Sequence, residues 1–136
     1  MARILVVDDT VEVLQTLVTV LSEAGHQIIT SDGAHHALEL LGRESVDLII
    51  ADIYMPDGDG LDLLRNASTV SPKTPVIAMS GNFGMHNMLP AAQYMGACST
   101  LRKPFTQAQL LEAVAAALRA GRNEASTGGN TGTSEA

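Results

Sequence analysis

The 136-residue chain is short of the residue types on which several classes of protein depend. Its single cysteine, Cys98, excludes an internal disulfide, and the small residues around it indicate a buried position. Aromatic residues make up 3% of the chain and tryptophan is absent, so the core must be aliphatic. The apolar runs are too short to span a bilayer, and the N-terminus lacks a secretory signal pattern. We therefore expect a cytoplasmic protein without a membrane partner.

Basic residues are also scarce, with 8 Lys and Arg against 15 Asp and Glu and a net charge of −7. A nucleic-acid surface needs clustered Lys and Arg to replace counterions, so we expect no nucleic-acid partner through this domain. Many of the acids fall instead at strand ends and in one loop: Asp8, Asp9, Asp52, Asp57 and Asp59. Such a cluster would repel itself unless it held a cation.

The chain does contain a regular alternation of short apolar runs and amphipathic segments. The runs predict strands over 3–7, 27–30, 48–51, 76–79 and 99–102. Apolar residues at helical spacing predict helices between them, least regularly over 81–94, where two glycines and Pro90 disfavour a helix. The pattern predicts an α/β fold with a single doubly wound five-stranded parallel sheet and helices on both faces.

The predicted domain covers residues 1–120, and a tail rich in Gly, Ser and Thr follows over 121–136. The tail has no apolar periodicity. It cannot bury enough apolar surface to offset the entropy of ordering, so we expect it to be disordered.

Polar side chains follow four of the five predicted strands. They are Asp8 and Asp9 after the first, Asp52 after the third, Ser80 after the fourth and Lys103 after the fifth. The carboxyl ends of parallel strands meet at one edge of a sheet, so these residues converge. Three carboxylates favour a hard cation, and Mg²⁺ is the natural choice because it keeps several waters. A hydroxyl and an ammonium nearby suit an anionic group, for which a phosphoryl group is the candidate.

Each of these residues also has a structural explanation when taken singly. Asp8 and Asp9 could cap the first helix, while Ser80 and Lys103 could be ordinary strand-end and surface residues. Their placement beside Asp52 favours a functional site with Asp52 as its reactive centre.

These residues, in this order, resemble the receiver domain of two-component response regulators over residues 3–120. The matching features are Asp8-Asp9, Asp52 followed by Met55-Pro56 and Gly60, Ser80, and Lys103-Pro104-Phe105. The resemblance implies the flavodoxin-like strand order 2-1-3-4-5. It also implies a cis peptide bond before Pro104.

The resemblance implies a phosphorylatable switch with at most slow self-phosphorylation and self-dephosphorylation, rather than an enzyme. Asp52 would accept a phosphoryl group from a histidine kinase or a histidine phosphotransfer protein, and contacts with an unknown downstream protein would then change. Lys103 and Ser80 would contact the phosphoryl oxygens. The implied Mg²⁺ ligands are Asp9, Asp52 and the backbone carbonyl of Tyr54, with Asp8 acting largely through water.

Two departures from the family pattern concern how the switch is read. Thr100 stands where the family usually has Tyr or Phe, so rotation of an aromatic ring cannot be the readout. The interval from Ser80 to Gly96 is one residue longer than usual and contains Pro90, which puts the position of the fourth helix in question. Tyr54 and Asn82 occupy positions that tune dephosphorylation in the family. The sequence does not indicate whether they speed or slow it here.

Two other functions compete with the switch. A phosphatase resembling the haloacid-dehalogenase superfamily would place its nucleophile after the first strand, with a second Asp two residues on, where this chain has Thr10. A flavodoxin-like flavin module would need a phosphate loop rich in Ser, Thr and Gly in place of Asp8-Asp9. The sequence leaves open the cognate kinase, the oligomeric state and whether this receiver stands alone, shuttles phosphoryl groups or belongs to a larger regulator.

Overall fold

The computed structural model describes residues 2–55, 58–81 and 97–126. Within these ranges it describes the side chains of all residues except 54–61 and 121–126. The strands are Arg3–Val7 (β1), Gln27–Ser31 (β2), Leu48–Asp52 (β3), Tyr54–Met55 (β4), Gly58–Asp59 (β5), Val76–Gly81 (β6) and Ser99–Lys103 (β7). The helices are Val11–Glu23 (α1), Ala34–Arg43 (α2), Gly60–Val70 (α3) and Gln107–Ser126 (α4). The two-residue strands β4 and β5 form an antiparallel hairpin that the sequence pattern did not predict.

Five strands form one sheet in the order β2-β1-β3-β6-β7, and every pairing in it is parallel. Numbered along the chain, these sheet strands have the order 2-1-3-4-5, so the predicted topology is confirmed. The central strand β3 is buried at all five positions. A parallel strand covered by helices on both faces has this near-continuous apolar sequence, and in β3 it ends on Asp52.

Alternate residues of the strands enter two separate cores, because successive side chains point to opposite faces of a sheet. Leu5 and Ile49 pack on one face with buried residues of α2 and α3. Ile4 and Ile50 pack on the other face with buried residues of α1 and α4. The helices therefore cover both faces of the sheet, as the α/β pattern predicted.

The prediction that Cys98 is buried was wrong. Its side chain is exposed, whereas the preceding Ala97 is 8% exposed and belongs to the core. The backbone N–H of Cys98 donates to the carbonyl of Val76 at 2.9 Å, which ties the chain to β6 just before β7 begins. Small neighbours in the sequence indicated packing, but Ala97 takes the inward position.

The predicted boundary between domain and tail at residue 121 was also wrong, because α4 continues to Ser126. Residues 119–126 include Arg, Ala and Glu, which are good helix formers, and each added residue gains one hydrogen bond once a helix exists. Residues 127–136, and the predicted fourth helix within 82–96, lie outside the described residues. No helix in the described ranges has both the length and the apolar character needed to cross a bilayer.

Gly25, between α1 and β2, has a φ of +96°, in the left-handed region that L side chains disfavour. We expect Gly25→Ala to lower the free energy of unfolding by about 1 kcal/mol, as measured by urea denaturation. Apart from the adjacent residues and the backbone of the same helix, no atom lies within 4 Å of an added Cβ at either Gly25 or Gly42, so Gly42→Ala is a matched control. Gly42 lies in α2, where alanine should be neutral or stabilising. Equal losses at both positions would contradict a conformational origin.

Candidate functional site

The carboxyl ends of the parallel strands carry the predicted site residues at one edge of the sheet. Asp52 is the last residue of β3, Lys103 is the last of β7, and Asp8 and Asp9 directly follow β1. Ser80 lies in β6, the strand between β3 and β7. The topology therefore brings together charges that are up to 95 residues apart in the chain.

Three carboxylates form the acidic part of this edge. One oxygen from each of Asp8, Asp9 and Asp52 lies within 4.8 Å of the others. Asp8 is 0% exposed and Asp52 is 6% exposed, whereas Asp9 faces solvent. An all-oxygen donor set with one open side has the chemistry that Mg²⁺ prefers, because that ion retains several of its waters. The residues present thus fit a magnesium ion.

Lys103 supplies the positive charge within this acidic cluster. Its Nζ lies 2.7 Å from Oδ2 of Asp8 and 2.8 Å from Oδ2 of Asp52, and its side chain is 21% exposed. Burial lowers the pKa of Lys103, but its hydrogen bonds to Asp52 and Asp8 and their charges outweigh burial, so the pKa is raised. Lys103 is therefore an ammonium ion at neutral pH that bridges two buried carboxylates. The Lys103–Pro104 peptide bond is cis, as the resemblance implied.

Asp8 is held at three points. Its Oδ1 accepts the backbone N–H of Thr10 at 2.9 Å, and its Oδ2 accepts from Lys103. Its own backbone N–H donates to the carbonyl of Ser31, at the end of β2, at 3.1 Å. These contacts fix the direction of the Asp8 carboxylate before any ion binds, whereas Asp9 is exposed to solvent.

Ser80 is 1% exposed and donates from Oγ to the carbonyl of Gly81 at 3.2 Å. Met79, the preceding residue, is the register partner of Asp52, so Ser80 lies one step further toward the site on the neighbouring strand. Its predicted role toward a phosphoryl group stays a prediction. The same holds for the backbone carbonyl of Tyr54, which begins β4 two residues after Asp52.

Sequence reasoning missed two features of this site. It assigned Lys103 to a phosphoryl group and did not anticipate the ion pair with the buried Asp8. It also passed over Ser31, the polar residue at the end of β2, although polar residues at the other strand ends were considered. The same strand-end signal could have found it.

Comparison with known proteins identifies the class of protein that this fold and site define. The family model described as the response regulator receiver domain matches residues 4–115. The chain belongs to this family, whose members typically act as signalling switches in two-component systems rather than as catalysts.

Individual relatives agree with this assignment. The transcriptional regulatory protein GlrR of Escherichia coli K12 is 33% identical over 117 residues, which are 86% of this chain and 26% of GlrR. NtrX from Brucella abortus, solved with ADP, superposes with a TM-score of 0.87 at 28% identity, over 99% of this chain and 31% of that one. A beryllofluoride-activated NtrC4 receiver domain dimer has a TM-score of 0.80 at 28% identity, over 88% of this chain and 98% of that one. The chain spans about a quarter of the first curated relatives' length.

Proposed function

We propose that Asp52 is the phosphoacceptor of a signalling receiver. A histidine kinase or a histidine phosphotransfer protein would supply the phosphoryl group, and an Asp52 carboxylate oxygen would attack its phosphorus. The bond from phosphorus to the imidazole nitrogen of the donor breaks, and the released imidazole takes a proton. The observation that carries this proposal is the position of Asp52, which ends a buried strand beside two further carboxylates and 2.8 Å from the Lys103 ammonium.

Positioning and charge neutralisation account for most of the catalysis expected in such a transfer. Lys103 lies within hydrogen-bonding reach of an Asp52 oxygen, so its ammonium can move to the oxygens of a phosphoryl group attached there. The Ser80 hydroxyl would donate to another of these oxygens. A bound Mg²⁺ would neutralise charge on the phosphoryl group, and the residues to hold it are Asp8, Asp9, Asp52 and the carbonyl of Tyr54.

The similarity to other receiver domains supports a role of this kind for Asp52. Beryllofluoride bound to a carboxylate oxygen has the tetrahedral shape of a phosphoryl group, and the NtrC4 receiver domain dimer is beryllofluoride-activated. By analogy, a phosphoryl group on Asp52 would change the contacts that this domain makes with a downstream protein. We also propose a cytoplasmic location, since histidine kinases draw the transferred group from cytoplasmic ATP.

A metal-dependent phosphatase of the haloacid-dehalogenase kind is not favoured. Its nucleophile would be the Asp that follows β1, and in this chain that residue, Asp8, is fully buried. Both of its carboxylate oxygens are already hydrogen-bonded, to the Thr10 N–H and to Lys103. This chain also has Thr10 at the position where that superfamily has its second Asp.

Incubation with acetyl phosphate and Mg²⁺, followed by intact-mass analysis, tests the proposal. We expect one phosphoryl group to be added per chain and none when EDTA removes the metal, because three carboxylates at the site would then repel the donor. Uptake that persists in EDTA would contradict the role of the metal. Absence of any uptake with Mg²⁺ would overturn the proposal, and rapid hydrolysis of unrelated phosphate esters would favour the phosphatase.

A further inference from the structure

We propose that Ser31 is a positioning residue for Asp8, and through Asp8 for the Mg²⁺ that the proposed function requires. Ser31 is the last residue of β2 and is 2% exposed. In the described sheet, β2 is an edge strand that pairs with β1. The end of an edge strand is prone to fray because a ladder holds it on one side. The hydrogen bonds of Ser31 oppose fraying of this end of β2.

The hydroxyl of Ser31 attaches the end of β2 to the start of α2. Its Oγ donates to the carbonyl of Gly33 at 2.8 Å and accepts the N–H of Gly33 at 3.3 Å. Gly33 is the N-cap of α2, and its carbonyl also accepts the N–H of Ala37 at 3.0 Å. Gly33 has no side chain with which to cap the helix. The Ser31 hydroxyl instead forms hydrogen bonds with both the N–H and the carbonyl of Gly33.

The backbone carbonyl of Ser31 accepts the backbone N–H of Asp8 at 3.1 Å. The end of β2, which the Ser31 hydroxyl attaches to α2, is therefore hydrogen-bonded directly to Asp8. Among the described residues, the side chain of Asp8 also accepts hydrogen bonds from Thr10, two residues away, and from Lys103. Lys103 and Ser31 are thus the two of these contacts that join Asp8 to another strand. The contact with Ser31 holds the backbone from which the buried carboxylate projects toward the candidate Mg²⁺ site.

Isothermal titration calorimetry of the unphosphorylated full chain with Mg²⁺ tests this role. Ser31→Ala leaves the buried backbone groups of Gly33 without the hydroxyl and frees the strand end. We expect its Kd for Mg²⁺ to rise roughly three- to tenfold, at or below the loss typical of a direct partner of a metal ligand. Ser31→Thr keeps the hydroxyl and should restore the affinity.

Gly25→Ala provides the control, because its expected stability loss arises just before β2, at the end of the strand opposite to Ser31. Its Kd for Mg²⁺ should equal that of the unmodified chain. An unchanged Kd in Ser31→Ala would overturn the inference and leave the proposed function intact. An equal rise in Gly25→Ala would also overturn it, by assigning the effect to stability. Failure of the unmodified chain to bind Mg²⁺ would overturn both.

Discussion

Asp52→Asn is expected to lower phosphoryl uptake from acetyl phosphate at least about a thousandfold, to a level that intact-mass analysis does not detect. The amide oxygen is a weak nucleophile, and the change also removes one of three carboxylates from the candidate metal site. Asn has nearly the shape of Asp, so the buried end of β3 should keep its backbone. Circular dichroism and urea denaturation verify that the variant is folded.

Asp47→Asn is the matched control for this experiment, because Asp47 directly precedes β3 at the other end of the same strand. Its Oδ2 accepts the backbone N–H of Arg3 at 2.9 Å, a contact that an amide oxygen can also make. We expect this variant to take up one phosphoryl group at the normal rate. Uptake that persists in Asp52→Asn would instead assign the chemistry to another carboxylate, such as Asp9.

The fold was predictable because its decisive signals are local. The run Leu48-Ile49-Ile50-Ala51 is apolar on both faces, which suits the centre of a parallel sheet and little else of that length. Strand order was predictable through the family resemblance rather than from the pattern. The end of α4 was not predictable, since helix formers and Gly121 compete there with small differences in free energy.

The convergence of the site was predictable, but its internal pairing was not. Parallel strands place their carboxyl ends together whatever their side chains are, so Asp8, Asp9, Asp52 and Lys103 had to meet. Which carboxylate is buried depends on side-chain geometry in three dimensions. Adjacent in sequence, Asp8 and Asp9 look equivalent, yet Asp8 is fully buried and Asp9 is exposed.

This asymmetry separates two tasks among the acids. Asp8 is held by backbone groups and by Lys103, so it can orient the site without being free to move. Asp9 is open to solvent, where an incoming ion would first exchange its waters, and in the proposed function Asp52 supplies the reacting oxygen. The arrangement is preorganised on the side of the buried Asp8 and open to solvent on the side of Asp9, from which a phosphodonor would approach in the proposed function.

Lys103→Met is the second change with a large expected effect, and it should lower the free energy of unfolding of the metal-free protein by about 3 kcal/mol. Methionine retains an unbranched apolar chain nearly as long as that of lysine but removes the ammonium between Asp8 and Asp52, leaving two nearly buried carboxylates with like charge. Arg102→Met changes the preceding, exposed residue and should alter stability by less than about 0.5 kcal/mol. Urea denaturation in EDTA measures both variants.

Mg²⁺ then distinguishes loss of charge from loss of packing. An ion among the three carboxylates replaces the missing positive charge, and it stabilises the folded state in proportion to the logarithm of its concentration above Kd. We therefore expect the deficit of Lys103→Met to shrink as Mg²⁺ is added, and Asp8→Asn in the same chain to recover part of it without metal. A deficit that neither Mg²⁺ nor Asp8→Asn reduces would contradict the assignment of the stability loss to the unpaired charges of Asp8 and Asp52.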